Sequence, residues 1–294
     1  MEYGGFKMEV WRSMVKRIII LLFVFSSMLS FGQANRFAGF GQRSTCPVEA
    51  LKFIDSSGIT NQTEKDAVCT LVKQLKDSAL WTSMRAVYPL LGRSSSSCKW
   101  NLMDIRQNDA AFRLVFFGGI TFDSLGITGN GVNGYANTFF TPSLNYDSLQ
   151  GGSYGVYLSK NVDEGSCAIG MRVTISANAV SLSPRISNNA YSSFTSGQIA
   201  ATNTDSRGIY VVTRLNRASS KTFKNGSLLV THNTYIASGG YNKPMFILAR
   251  NDDFGATYFS TNTVGFAFIG SALTDAQAST LYNIINTFKN TLGR

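Results

Sequence analysis

The first part of the chain carries apolar residues at the spacing that places them on one face of a helix. Ile59 and Thr60 precede this pattern and are typical of a hydrophobic staple and an N-cap. The apolar stripe that follows comprises Ala67, Val68, Leu71, Val72, Leu75, Ala79 and Leu80. The segment WTSMRAVYP, residues 81–89, is predicted to continue the helix until Pro89 stops it.

The middle of the chain, from Lys99 to Gly270, has a period of two, which is typical of β-strands. The strand candidates are residues 112–117, 153–159, 168–175, 208–215, 244–251 and 264–270. Several of these segments are apolar on both faces, so we expect stacked sheets rather than one solvated sheet. Asn225 and Gly226 favour a type I′ hairpin turn between two short strands, because both positions of that turn need positive φ. The glycine-rich residues 126–134 are predicted to be a second hairpin loop.

The end of the chain returns to helical spacing. Thr274 and Gln277 form a T-x-x-Q capping box directly after Leu273. The apolar stripe comprises Ala278, Leu281, Ile284, Ile285, Phe288 and Leu292. Gly293 suits the end of the helix. This helix is expected to dock on the rim of the β core.

These patterns predict a mainly β protein, built as an antiparallel two-sheet sandwich with a small helical segment before it and a helix at its end. Residues 33–92 are assigned to a lead-in and the helical segment, and residues 99–294 to the sandwich and the last helix. The intervening serine-rich stretch, GRSSSSC, is interpreted as a linker.

The N-terminus is typical of an export signal. Lys16 and Arg17 precede an apolar run of 12 residues, which is shorter than the roughly 20 residues that span a bilayer. Small residues at Ser30 and Gly32 favour cleavage after Gly32. We therefore expect residues 1–32 to be a signal peptide, the protein to be secreted or held at the cell surface, and its membrane contact to be limited to this segment. A retained anchor and a buried hydrophobic helix are the alternatives.

The charge balance is basic but dispersed. The 294-residue chain has a net charge of +10, and without residues 1–32 it keeps 23 basic and 15 acidic residues, a net charge of +8. The sequence has no run of lysine or arginine residues that could bind along a phosphate backbone, and it has no nucleic-acid-binding motif. No specific nucleic-acid partner is therefore predicted. Attraction to anionic surfaces such as acidic polysaccharide is the alternative to an ordinary solvated surface.

The four cysteines favour disulfides in an exported protein, because their spacing fits no zinc motif. Three pairings are open. Cys46–Cys69 is the most local, and Cys98–Cys167 would then follow. Buried free thiols are the alternative.

The order of the last elements, a strand-Asn-Gly-strand hairpin followed by FAFIGSALTDAQASTLYNII (residues 266–285), resembles the laminin-G-like, or concanavalin A-like, jelly roll. Residues 53–92, the segment DAAFRLVFFGG and the terminal LYNIINTFKNTLGR also resemble an uncharacterised family of bacteriophage structural proteins and bacterial secreted proteins. In that family a helical segment precedes the same jelly roll. The resemblance implies a fold and, for phage proteins, a virion location; it supplies no catalytic residues.

The sequence has few residues in arrangements that are typical of acid–base catalysis or metal binding. His232, the single histidine, ends an apolar strand face and is expected to be structural. Glu164 is the only glutamate in the β region and follows Asp163 in a turn, whereas glycoside hydrolysis needs two carboxylates. No cofactor is predicted. Calcium is the one metal considered, with Asp252 and Asp253 as its candidate ligands, although a turn explains both residues.

Sugar recognition needs an aromatic platform and fixed hydrogen-bond donors. The candidates in predicted loops are Tyr135, Asn133, Arg207, Tyr241 and Asn242. The sequence therefore predicts a non-catalytic module that binds glycan or cell-surface polysaccharide. One alternative is a structural or adhesive virion-type subunit, which would form a homo-oligomer. The other is a polysaccharide-cleaving enzyme, which would place acidic residues together in a groove.

Overall fold

The structure of the protein, a computed structural model, describes residues 46–146, 151–173, 178–233 and 242–294. These residues belong to one compact unit, Cys46–Arg294. The predicted signal peptide with its cleavage site after Gly32, and the candidate Tyr241, lie outside the described residues. Among the helices within them, none has the length and apolarity that a bilayer crossing requires.

The described residues form two antiparallel sheets and several helices, so the predicted fold class is confirmed. The helices are α1 (Val48–Ser57), α2 (Gln62–Asp77), α3 (Ser95–Cys98), α4 (Pro142–Asn145) and α5 (Asp275–Thr291). The strands are β1 (Met84–Tyr88), β2 (Val115–Phe117), β3 (Ile120–Asp123), β4 (Gly126–Gly129), β5 (Tyr135–Asn137), β6 (Gly152–Leu158), β7 (Ile169–Val173), β8 (Asn178–Ile186), β9 (Asn189–Ser196), β10 (Ile199–Thr202), β11 (Gly208–Asn216), β12 (Ser219–Lys224), β13 (Ser227–His232), β14 (Phe246–Ile247), β15 (Arg250–Asp252), β16 (Gly255–Thr257) and β17 (Thr263–Gly270).

Strand order shows how the chain moves between the sheets. The first sheet has the order β13-β12-β11-β6-β17-β4-β3, with β1 paired to β17. The second has the order β10-β9-β8-β7-β14-β5-β2, and β15 adds to β7 in parallel. Because β4 and β5 belong to different sheets, the glycine-rich loop between them crosses from one sheet to the other. The prediction that residues 126–134 form a hairpin loop is therefore wrong.

Two hydrophobic cores explain why some strands are apolar on both faces. Tyr154, Val156 and Leu158 of β6 belong to the core between the sheets. Phe266 and Phe268 of β17 belong to a second core, which the helices share with the outer face of the first sheet. Every residue of β6 and β17 is buried as a result. Helix α5 thus covers a sheet face, and not the rim that the sequence led us to expect.

The segment predicted to extend the first helix is instead a strand. The helix ends before Ala79, whose φ is 57°, and a short 3-10 turn leads into β1. Val87 faces the helical core, while Ala86 and Tyr88 face the core between the sheets. Pairing with β17 overrides the helical pattern, because residues that are apolar on both faces fit either structure. The N-cap of α2 is Asn61, one residue after the predicted Thr60.

The cysteines follow one predicted pairing and not the other. Cys46 and Cys69 form a disulfide that ties the residues before α1 to α2. The Cys98–Cys167 pairing is wrong, because both residues are free and buried. Burial raises the pKa of each thiol to about 12, so both are protonated at neutral pH and poorly reactive.

Local signals placed the hairpin and the last helix correctly. Asn225 and Gly226 have φ values of 50° and 78° and join β12 to β13, as a type I′ turn requires. Both hydrogen bonds of the capping box between Thr274 and Gln277 are present at the start of α5. Gly293, with a φ of 69°, follows the end of that helix.

His232 should make the folded protein sensitive to mild acid. Burial and, after it, the charge of Arg214 lower the pKa of this imidazole from its ordinary 6.5. Protonation therefore favours the unfolded chain: stability is highest above about pH 6.5 and declines as the pH falls through the folded-state pKa. We expect urea midpoints to drop between pH 7.5 and pH 5.5. The variant His232→Gln is the control, and an equal drop in it would contradict this assignment.

Candidate functional site

A cleft of about 390 Å³ opens where the Asn225-Gly226 turn, the loop before β11 and one face of α5 meet. This volume lies in the range of about 300–1,000 Å³ that ligand pockets occupy. The helix contributes Tyr282, Asn286 and Lys289, whose i, i+4, i+7 spacing puts them on one face. The first sheet and its loops contribute the other wall.

The Asn225-Gly226 turn is held rigidly against β11. The backbone N–H of Asn225 donates to the Ile209 carbonyl at 2.9 Å, and the N–H of Ile209 donates to Asn225 Oδ1 at 2.9 Å. Asn225 lines the cleft with its amide group fixed in this position. Gly208 leaves room for the amide, since a Cβ there would lie 2.6 Å from Asn225 Oδ1.

Tyr282 supplies a flat aromatic wall. Its ring packs on Gly226, where a Cβ would lie only 2.7 Å from Tyr282 Cδ1. Glycine is therefore required at position 226 for two reasons, its positive φ and the close approach of the Tyr282 ring. Tyr157 lies beneath the cleft on β6 and is nearly buried. The Lys289 ammonium lies 5.9 Å from the centre of the Tyr157 ring.

Charged groups meet in the loop wall of the cleft. Arg207 Nη2 donates to Asp205 Oδ2 at 2.7 Å, and Arg207 Nε contacts both oxygens of that carboxylate at 3.1 Å. The hydrogen bonds from Arg207 lower the pKa of Asp205, which stays ionised. Lys224 Nζ donates to Asn203 Oδ1 at 2.6 Å and to the Asp205 carbonyl. Burial lowers the pKa of Lys224; Asp205 acts against this shift and Arg207 adds to it.

Ser159 leaves a polar group unsatisfied in the same cleft. Its hydroxyl is buried and has no hydrogen-bond partner among the described residues. A buried unsatisfied hydroxyl costs about 1–3 kcal/mol, so such groups occur where a water or a ligand completes the site. The cleft itself places the side-chain amides of Asn225 and Asn286 beside the Tyr282 ring.

The structure does not gather the predicted ligand-binding residues into one site. Arg207 lines the cleft. Asn133 fixes the β4–β5 loop instead, because its Oδ1 accepts from Gly119 N at 3.0 Å and from Asn130 Nδ2 at 2.8 Å. Asn242 is exposed and lines no described cleft with Arg207.

Tyr135 has both ring faces covered. Its ring stacks on Phe117 at a centroid distance of 4.9 Å and on Phe246 at 4.6 Å, with interplanar angles of 13° and 28°. A sugar ring stacks on an open aromatic face, and this aromatic row leaves Tyr135 with only its edge and hydroxyl. Tyr135 therefore does not form the platform that the sequence led us to expect.

The apolar stripe of α5 does not include the residues of this helix that line the cleft. The positions 282, 286 and 289 carry a tyrosine, an amide and a lysine on a different face. That spacing was visible in the sequence. The sequence does not show that these residues line a cleft, because only the fold brings this face of α5 opposite the Asn225-Gly226 turn.

The calcium candidates are occupied by protein groups. The Asp252 carboxylate accepts from Arg250 at 2.7 and 2.9 Å and from the Thr257 hydroxyl at 2.7 Å, and Arg172 lies 3.6 Å away. Two guanidinium cations beside one carboxylate oppose a further cation at Asp252. In the part of the chain that the structure describes, no group of three or more His, Cys, Asp and Glu residues gathers as metal ligands, and this includes Asp253.

The remaining acidic candidates do not pair in the cleft. Glu164 accepts hydrogen bonds from Ser166, Ser260 and Thr261, at 2.6–2.7 Å from their hydroxyls, and so fixes two loops to each other. Asp205 is the one carboxylate among the described residues that lines the cleft.

Comparison with known proteins adds little beyond the fold. No protein-family model matches the chain, and no curated protein matches it. A mutant sialidase from Streptococcus pneumoniae is similar to it at 12% identity and a TM-score of 0.42, over 56% of this chain and 27% of that one. A structure of botulinum neurotoxin type C, whose cell entry depends on two ganglioside molecules, gives 13% identity and a TM-score of 0.47, over 70% and 52%.

A third solved structure, a mutant sialidase from Trypanosoma rangeli, gives 13% identity and a TM-score of 0.46, over 75% of this chain and 39% of that one. The chain thus spans between about a quarter and about half of the length of these proteins. Likenesses at this level concern the β-sandwich alone and carry no argument about function. The finer resemblance to laminin-G-like and bacteriophage proteins stays a prediction.

Proposed function

We propose that the protein is a non-catalytic recognition module that binds glycan in the cleft between α5 and the Asn225-Gly226 turn. The observation that carries this proposal is the placement of the Tyr282 ring beside the amides of Asn225 and Asn286 and the guanidinium of Arg207. An aromatic surface takes the apolar face of a sugar, and amide and guanidinium groups bind its hydroxyls. Helix α5 carries one wall, and hydrogen bonds fix Arg207 and Asn225 in the other, so the groups are preorganised.

An exterior location is part of this proposal. The Cys46–Cys69 disulfide supports it, because disulfides persist in oxidising compartments. The partner is then a glycan or a cell-surface polysaccharide.

The experiment is a glycan array with the purified protein, followed by titration of the best ligand. We expect Tyr282→Ala to weaken binding about tenfold, which corresponds to about 1.4 kcal/mol, because the stacking surface is lost. Tyr282→Phe keeps the ring and should bind within about threefold of the unaltered protein. Phe254→Ala is the matched control, since Phe254 is a fully exposed aromatic residue that does not line the cleft.

Two results would count against the proposal. One is the absence of binding to every glycan on the array. The other is unchanged affinity in Tyr282→Ala at temperatures where circular dichroism shows that the variant is folded.

The two alternative functions, an enzyme and a virion-type subunit, each require a feature that a glycan-binding module does not. A polysaccharide-cleaving enzyme needs two carboxylates about 5–10 Å apart, and Asp205 stands alone in the cleft among the described residues. A virion-type subunit would form a homo-oligomer, which light scattering on the purified protein tests.

A further inference from the structure

Charge around the cleft is unevenly balanced. Arg207 stands in the loop wall, Lys224 lies behind it, and Lys289 stands on the helix wall. Among the described residues, the carboxylate that faces these three cations from within the cleft is that of Asp205. The bidentate contact with Arg207 occupies both oxygens of this carboxylate. Three cations thus lie beside one carboxylate, which leaves this part of the protein with a net positive charge.

The hydrogen bonds of Lys224 show that its charge is only weakly compensated. Its ammonium group donates to an amide oxygen of Asn203 and to the main-chain carbonyl of Asp205, and to no carboxylate. The positive charge of Arg207 helps to lower the pKa of Lys224, after the larger effect of burial and against the effect of Asp205. Positive potential thus accumulates in the loop wall of the cleft.

The opposite wall carries a cation of its own. Lys289 Nζ donates to Asn290 Oδ1 at 2.6 Å and contacts the main-chain oxygen of Arg294 at 3.3 Å. The ammonium also lies over the Tyr157 ring, 5.9 Å from its centre, which holds it at the edge of the cleft. A ligand that enters between α5 and the turn therefore passes between a guanidinium and an ammonium group.

We infer that the cleft prefers glycans that carry carboxylate or sulfate groups, with Arg207 and Lys289 as the residues that confer this preference. The inference rests on the proposed function, because it names the class of glycan that the same cleft takes. The neutral donors and the Tyr282 ring would bind the sugar ring, while the cations would bind its acidic group. A neutral glycan would lack the second interaction.

The test uses pairs of polymers with the same sugar backbone, one acidic and one neutral. Polygalacturonate is compared with its fully methyl-esterified form, and dextran sulfate with dextran, by titration of the purified protein. We expect at least one acidic polymer to bind about tenfold more tightly than its neutral partner at low salt, and the difference to shrink as salt increases. The two pairs show whether carboxylate or sulfate is the preferred group.

Variants that remove a positive charge and a variant that removes a negative charge make this test more specific. Arg207→Gln and Lys289→Gln should each weaken binding of the acidic polymer about threefold to fivefold and weaken binding of the neutral polymer less. Asp205→Asn should strengthen binding of the acidic polymer, because it removes the opposing charge and keeps a group that accepts from Arg207. Lys73→Gln is the control, since this exposed lysine lies on α2 and pairs with Asp77.

The outcomes separate the inference from the proposed function. Equal binding of charged and neutral polymers, both weakened by Tyr282→Ala, would overturn the inference and leave glycan binding in the cleft intact. Stronger acidic binding that responds to Lys73→Gln as much as to Arg207→Gln would show a diffuse surface effect, and would also overturn the inference. Failure to bind any polymer or any arrayed glycan would overturn both.

Discussion

Replacing Phe268 with alanine is expected to lower the free energy of unfolding by about 4 kcal/mol. The side chain is fully buried in the core that the helices share with the first sheet. Its ring crosses Gly155 on β6, where a Cβ would lie 2.5 Å from Phe268 Cε1. Truncation would leave a cavity that neither a rigid sheet nor the disulfide-tied helices can close.

Denaturant unfolding followed by circular dichroism measures this loss. Phe254→Ala is the matched control, because the fully exposed Phe254 should change stability by less than about 0.5 kcal/mol. A loss below about 1 kcal/mol in Phe268→Ala would mean that the helices do not pack on the sheet in the way described.

Arg214→Met is expected to cost about 3 kcal/mol, although methionine fills much of the same volume. The Arg214 side chain is only 2% exposed. Its guanidinium donates at 2.9 Å to the carbonyls of Asn216, Phe194 and Arg217. Phe194 belongs to the second sheet and Arg214 to the first, so this residue joins the two sheets. Methionine would leave three carbonyl oxygens without these donors, at about 1 kcal/mol each.

The same variant has a second readout. Because the charge of Arg214 helps to lower the pKa of His232, that pKa should rise toward 6.5 in Arg214→Met, as an NMR titration of the single histidine would show. Arg106→Met is the stability control, since Arg106 is exposed and pairs only locally with Asp104. A loss of stability in Arg214→Met no larger than in this control would contradict the bridging role.

Much of the fold was predictable because its signals are local or periodic. The hairpin at Asn225-Gly226 depends on the φ values of two residues, and the start of α5 depends on a four-residue capping box. The long central strands show their period directly. Residues 84–88 were misassigned because a strand buried on both faces looks like a buried helix, and only its pairing with β17 decides between them.

The candidate site was less accessible to sequence reasoning. The sequence indicates Arg207 only as one of several polar loop residues, and it indicates Tyr135 because this aromatic residue lies in a predicted loop. Stacking on Phe117 and Phe246 covers its faces, and those partners are distant in sequence. The cysteines show the same limit, since an even number of them did not require a second disulfide.

The sequence by itself determined the Asn225-Gly226 turn, the ends of the last helix, the mainly β class and the two-sheet sandwich, because φ preferences, caps and side-chain alternation act over a few residues. Only the tertiary structure decided that the helices cover a sheet face, that Cys98 and Cys167 stay apart, and that Tyr282, Asn225 and Arg207 surround one cleft. These features join residues far apart in the chain. Their positions depend on how whole elements pack, which no local pattern encodes.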